Sequence, residues 1–276
     1  MTLRLPDSLT ALFADDPEAP VERAALCIAR DLDPTLRPGE IVNILDDYAV
    51  PVAEQITRGM TPSEQAAVVG THVYDHLGFA GDEAEYYHPH NSLLHRVMDR
   101  RRGIPLSLAV VLMALCRRAG IEAEGIGFPG HFLVRIGGEA GVYVDPFFGG
   151  TILGEPELEG LAKRVMGPEG RPTPEHLQPI GSRAMTVRML LNLKGAYERA
   201  GDPARALLVC DRLVELSGHV EFVRARGMHA LTLGAHAAAA DDLGRYVAHP
   251  GARRPDPEAH EALRRARDGA ATRRPS

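Results

Sequence analysis

The sequence predicts an α+β domain followed by an all-α domain. Apolar residues recur at helical spacing as far as Ala119, strand-like segments then cluster between Ile121 and Asp145, and from Arg183 onward only helical spacing remains. Helices followed by a block of strands, without strict alternation, is the α+β pattern. A chain of 276 residues is long enough for two domains. Their expected bounds are 1–152 and 183–267, joined by a connector at 153–182 and followed by a disordered tail at 268–276.

The first helix reads from Pro20 to Arg30, opening on a proline suited to a first turn; the next runs from Gly39 to Val50, with Ile41, Leu45 and Tyr48 on one stripe. Thr61-Pro-Ser-Glu64 is a capping-box start: Thr61 caps, Pro62 takes the first helical position, and Glu64 lies three residues after the cap. A polar, aromatic loop from Gly78 to His90 leads to helices over Asn91–Asp99 and Pro105–Ala119, separated by Arg100-Arg101-Arg102 and Gly103. Asn91-Ser92 suits an N-cap of the helix it opens, and the arginine run suits a solvated helix end. Beyond Gly120, Ile121–Gly127 alternates, and His131–Ile136 and Gly141–Asp145 read as an antiparallel pair turned at Gly137-Gly138.

Residues 153–182 are rich in Gly, Pro and Glu with room for one helix. The helical remainder echoes itself. Leu193, Tyr197, Gly201, Ala206 and Leu207 have the helix–turn–helix spacing of a tetratricopeptide repeat, and Gly227, Gly234, Ala239 and Leu243 return about 34 residues later. Two such units bury only part of their apolar faces, so Pro257–Arg267 is expected to supply a capping helix.

Composition narrows the function classes. A formal charge of −6 argues against nucleic-acid binding, which needs a basic surface. Three cysteines, Cys27, Cys116 and Cys210, have no metal-ligand spacing and cannot close a disulfide framework, which suits a reducing compartment. Met1–Asp7 has no signal-peptide core, and the apolar run Ile104–Cys116 is too short to span a bilayer, so no membrane association and a cytoplasmic location are expected. His88, His90 and His95 with Asp82 and Glu85 match no ligand pattern; no metal and no other cofactor are expected.

Three segments carry chemistry: Asn91–Ala109, Gly127–Arg135 (Gly-Phe-Pro-Gly-His-Phe-Leu-Val-Arg) and Val144–Gly150 (Val-Asp-Pro-Phe-Phe-Gly-Gly). In this order and spacing, with the repeats behind them, the chain resembles the SirB-type family, the "transglutaminase core 2" branch of transglutaminase-like proteins that carries C-terminal tetratricopeptide repeats. The resemblance covers nearly the whole chain and implies a transglutaminase-like (papain-like) domain followed by an all-α domain of tetratricopeptide type. It also implies a site: a thiol at a helix start, where the dipole lowers its pKa, a His on one strand as base, and an Asp on the next to orient it. On this chain the last two are His131 and Asp145.

The departure is the nucleophile. Its position falls on Pro105, which begins a helix well but attacks nothing. Cys116, eleven residues on, lies about 16 Å further along the helix and reads as core. Ser107 sits in the first turn about 200° around from Pro105, suited to bonding backbone and a poor replacement nucleophile. Asn91 and Tyr87, in the loop from Tyr86 to Asn91, are candidate rim residues near His131. The expectation is a non-catalytic regulatory protein that binds a protein or peptide partner through its repeats. The alternative is a cysteine-less hydrolase or amidase that uses His131 and Asp145 on a water or a substrate hydroxyl.

Overall fold

The apolar periodicity becomes twelve α-helices and six short strands over residues 5–272, the residues this computed structural model describes. In chain order they are α1 (Leu9–Asp15), α2 (Val21–Leu32), α3 (Pro38–Gln55), α4 (Pro62–Gly70), β1 (Ala80–Gly81), α5 (Leu94–Arg100), β2 (Arg102–Gly103), α6 (Pro105–Arg118), β3 (Ala123–Ile126), β4 (Leu133–Ile136), β5 (Val142–Asp145), β6 (Thr151–Leu153), α7 (Glu155–Met166), α8 (Ser182–Arg199), α9 (Pro203–Ser217), α10 (Val220–Thr232), α11 (His236–Ala248) and α12 (Pro257–Thr272). They group into two compact units, residues 1–189 and 190–276.

In the first unit α6 is the organising element. Pro105 stands at its first position, where a fixed φ helps and a missing N–H costs nothing. The helix is apolar all round, so only a fully enclosed position suits it. Leu108, Leu112 and Leu115 are completely or almost completely buried, with α2, α3, α4 and α5 and the strands β3 and β4 packed around it. The sheet is antiparallel in the order β3-β4-β5-β6, with Val134 opposite Val144 and Val144 opposite Ile152. Helix α7 covers one side of it: Leu158, Leu161 and Ala162 pack with Ile126, Phe128 and Leu133.

Local chemistry explains most element ends. Thr61 accepts the main-chain N–H of Glu64, whose carboxylate accepts the N–H of Thr61 at 2.7 Å, the two halves of the capping box. Several expectations need correction. Helix α3 continues past Val50 and through Pro51 to Gln55. The helix expected from Asn91 is a 3-10 turn, Pro89–Ser92, followed by α5, whose N-cap is Leu93 rather than Asn91. The arginine run is not merely a solvated end. Arg100 bonds Asp82 Oδ2 at 3.0 Å and Asn91 Oδ1 at 2.7 Å, Arg101 takes a left-handed φ of 54° and donates to Leu77 O, and Arg102 donates to Gly78 O. These bonds tie down the loop before α5, and β1 pairs with β2 in parallel beneath it. The strand expected to begin at His131 begins at Leu133, because His131 closes a turn whose central residues are Pro129 and Gly130.

In the second unit, left-handed glycines end α8 and α10: Gly201 at φ 67° and Gly234 at φ 73°. Small residues let neighbouring helices approach; a Cβ on Gly227 of α10 would sit 2.9 Å from Leu243 of α11. Buried ion pairs add specific partners. Arg226 makes a two-pronged contact with Asp242 at 2.7 and 2.8 Å, and the Arg224 guanidinium beside Asp256 holds that carboxyl down at about 2. Helix α12 closes on α11 through Ala259 against Tyr246 and Ala262 and Leu263 against Leu243. It runs to Thr272, so residues 268–272 are helical where a disordered tail was expected; 273–276 lie outside the described residues. Among the described residues, no helix is long and apolar enough to cross a membrane.

Candidate functional site

The site begins with a four-residue turn. Phe128 O accepts the N–H of His131 at 3.1 Å, with Pro129 and Gly130 between them. Proline sets the first central φ and Gly130, at φ 66°, supplies the positive φ that a type II turn needs at the second. Phe128 and Phe132 on either side are buried, which pins the turn and leaves His131 about 9% exposed. Asp145 ends β5. Its Oδ1 accepts the main-chain N–H groups of Phe147 at 2.9 Å and Phe148 at 3.3 Å, an Asp capping the turn that it starts.

The other oxygen, Oδ2, lies 2.9 Å from Nε2 of His131. A carboxylate oxygen accepts, so in this contact Nε2 is the donor. Aromatic rings fix the imidazole. Phe148 stacks on it with centroids 6.2 Å apart and 21° between planes, and Phe147 meets it edge-on at 6.5 Å. Tyr86 packs edge-on against Phe147 at 5.7 Å. The hydroxyl of Tyr74 is shielded from solvent. Burial first, and the Asp145 charge second, push its pKa far up, so it stays protonated.

Two arginines flank this aromatic group. Arg188, on α8, donates from Nη2 to His131 O at 2.5 Å and to Phe128 O at 3.4 Å, and its guanidinium lies 5.3 Å from the Phe132 ring centroid. The Arg164 guanidinium sits 5.6 Å over the Phe148 ring.

The other residues singled out from sequence fall elsewhere. Ser107 Oγ donates to Asn91 O at 2.5 Å and accepts the N–H of Ile104 at 3.1 Å, so the buried hydroxyl ties the start of α6 to the 3-10 turn. A Cβ on Gly103 would lie 2.6 Å from that oxygen, which explains glycine there. Asn91 is fully buried and clamps the loop, donating to Glu85 O at 2.7 Å while accepting from Arg100. Among the described residues, no hydrogen bond or ring contact joins Ser107 or Asn91 to His131. Tyr87 is 60% exposed and meets Tyr86 edge-on at 5.1 Å, which in turn packs on Phe147. Pro105 is buried at the head of α6. The three cysteines are buried; burial pushes the thiols of Cys116 and Cys210 up to about 12. Among the described residues, no group of His, Cys, Asp and Glu is arranged to hold a metal.

Sequence reading held Phe147 and Phe148 within a motif and Tyr86 within the rim loop without giving them a role, and passed over Tyr74, Arg164 and Arg188. Phe147 and Phe148 had a local signal, since an Asp-Pro pair followed by two aromatics is a turn whose N–H groups return to the Asp. Arg188 had none: it stands 57 residues beyond His131.

The transglutaminase-like superfamily profile matches residues 39–191, more than half of the chain and all of the site residues above. A UPF0162 protein of Xylella fastidiosa (strain Temecula1) is 37% identical over 239 residues, covering 84% of this chain and 85% of that protein. A UPF0162 protein of Pseudomonas aeruginosa is 32% identical over 204 residues, 74% of each chain. F-box only protein 21 of Homo sapiens is 36% identical over 98 residues, which is 32% of this chain and 16% of that protein.

Proposed function

The chain belongs to the transglutaminase-like superfamily, and from that premise we propose that it works without covalent catalysis, as a SirB-type regulatory protein whose C-terminal helices bind a protein or peptide partner. The observation that carries this is Pro105 at the head of α6, where the resemblance puts a thiol. A helix start lowers a thiol's pKa and makes it a nucleophile. Proline offers the helix the same start with no reacting atom. The nearby hydroxyl of Ser107 is committed to Asn91 O and Ile104 N, and Cys116 is sealed in the core with a raised pKa. The successive helices α8–α9 and α10–α11, each succession turned by a left-handed glycine, support a tetratricopeptide-type reading of the second unit, and such units present surfaces to peptides and proteins. Exposed Leu191 and Leu208 are apolar contact points there.

The test pairs enzymology with capture. Purified protein is assayed on a panel of esters, amides and glutamine amides, and a partner is captured from lysate by the wild type, His131→Ala, and Leu191→Glu with Leu208→Glu. The expected result is no turnover and a partner lost only with the leucine substitutions. Turnover that disappears in His131→Ala overturns the proposal.

That outcome would favour a second reading, a cysteine-less hydrolase or amidase. One observation supports it: His131 and Asp145 stand 2.9 Å apart, the arrangement a general base and its orienting carboxylate need.

A further inference from the structure

Arg188 is a half-buried cation whose compensation is incomplete. Burial pushes its pKa down, and its hydrogen-bond partners are two main-chain carbonyls, with the Tyr86 phenol as its electrostatic neighbour. No carboxylate lies within ion-pair reach of it among the described residues. Four other arginines partly removed from water are given carboxylates in this chain. Arg118 meets Glu22 and Asp46, Arg135 meets Glu124, Arg224 meets Asp256, and Arg226 meets Asp242 and Asp211. Withdrawing a guanidinium from water without a counter-ion is expensive. A fold that bears this cost while supplying carboxylates to the other four has left a place for an anion.

The surroundings define that anion. Nη2 is spent on His131 O and Phe128 O, which holds the guanidinium rigidly against the turn that carries His131. Nη1 faces Gly127, where a Cβ would approach to 3.4 Å and glycine leaves the side open. Among the described residues, no carboxylate pairs with the guanidinium. Asp145, the acid of the site, has Oδ2 on His131 and Oδ1 on two backbone N–H groups. Arg164, over the Phe148 ring, adds a second cation without a carboxylate. Beside these charges lie Phe148, 44% exposed, and Tyr86, 36% exposed, which form an apolar surface against Phe147.

We propose that Arg188, assisted by Arg164, is a recognition site for a carboxylate carried on an apolar or aromatic body, which lies against Phe148 and Tyr86 next to His131. The planar fork of an arginine matches a carboxylate with two parallel N–H donors. A phosphate is a poorer match, because the backbone N–H groups at this place already serve Asp145. The site stands whether or not His131 performs chemistry, and it is separate from partner binding by the C-terminal helices.

Calorimetric titration of the full chain tests it with four probes: N-acetyl-phenylalanine, its carboxamide, N-acetyl-glutamyl-phenylalanine amide, and phenyl phosphate. The acid is expected to bind at least about tenfold tighter than the carboxamide, the scale of a charged hydrogen-bonded pair. Arg188→Gln abolishes the difference, Arg188→Lys keeps part of it, and Arg164→Gln, a surface change that leaves the fold alone, weakens the acid by about threefold. Equal binding of the glutamyl probe identifies a side-chain carboxylate as the natural group; binding of N-acetyl-phenylalanine alone identifies a chain terminus. The proposal is overturned if acid and carboxamide bind alike, if no carboxylate probe binds at millimolar concentration, if phenyl phosphate binds tighter than both acids, or if the arginine variants bind the acid as the wild type does.

Discussion

Asp145 holds His131 with Oδ2 alone, 2.9 Å from Nε2, because its Oδ1 is already shared between the N–H groups of Phe147 and Phe148. One carboxylate therefore both orients the imidazole and folds the turn that supplies the two rings packed on it.

The two residues of the pair are consequently unequal in stability. Asp145→Ala strands three donors at a nearly buried place and is expected to cost about 3 kcal/mol, whereas His131→Ala removes one bond and costs about 1 kcal/mol. Urea unfolding of both variants checks this. Equal losses would mean that the Phe147–Phe148 turn stands without Asp145.

Restoring the missing atom should restore reactivity. In Pro105→Cys the new thiol sits at the first position of α6, where the helix dipole favours thiolate. Iodoacetamide at neutral pH is expected to alkylate Cys at 105 and to spare the three native cysteines, as read by peptide mass spectrometry. The same labelling should slow in a Pro105→Cys, His131→Ala double variant. Labelling that ignores His131 would mean that the head of α6 does not address the imidazole.

The native thiols set an alkaline limit. Burial pushes the folded thiols of Cys116 and Cys210 up to about 12, against 9.0 for a free thiol. Above pH 9 the unfolded chain releases these protons while the folded chain keeps them, so the unfolded state binds fewer protons and stability falls as pH rises. Denaturation midpoints between pH 8 and pH 11 should decline, and less steeply in Cys116→Ala than in the wild type. An equal slope would remove Cys116 from the account.

Gly81 tests how firmly the rings are set. A Cβ there would lie 2.7 Å from the Phe147 ring and 2.8 Å from its carbonyl oxygen. Gly81→Ala is expected to cost about 1–3 kcal/mol by overpacking and to shift the His131 ring signals in NMR spectra. Unchanged signals would show that β1 does not hold Phe147 in place.

Much of the first unit was legible because its signals are local. The capping box at Thr61 and Glu64, the proline at the head of α6 and the apolar run behind it each depend on neighbours within a few residues. The errors were local too, but at places where a distant partner overrode the local preference. Asn91 has the chemistry of an N-cap, yet Arg100 and Glu85 O take its side chain, and Leu93 becomes the cap. Arg100, Arg101 and Arg102 look like a solvated end until a loop some twenty residues earlier folds back to meet them.

By itself the sequence determined the broad succession of helices, strands and helices, the transglutaminase-like kinship, and the absence of a thiol at position 105, because periodicity, turn chemistry and motif spacing are written along the chain. Only the tertiary structure decided which nitrogen of His131 faces Asp145, that Ser107 is spent on Asn91 O, and that Arg188 comes to rest on the His131 turn without a carboxylate. Those are properties of groups brought together from 14, 16 and 57 residues apart. Burial and hydrogen-bond competition at the meeting point, rather than any residue's own preference, settle which partner each one takes.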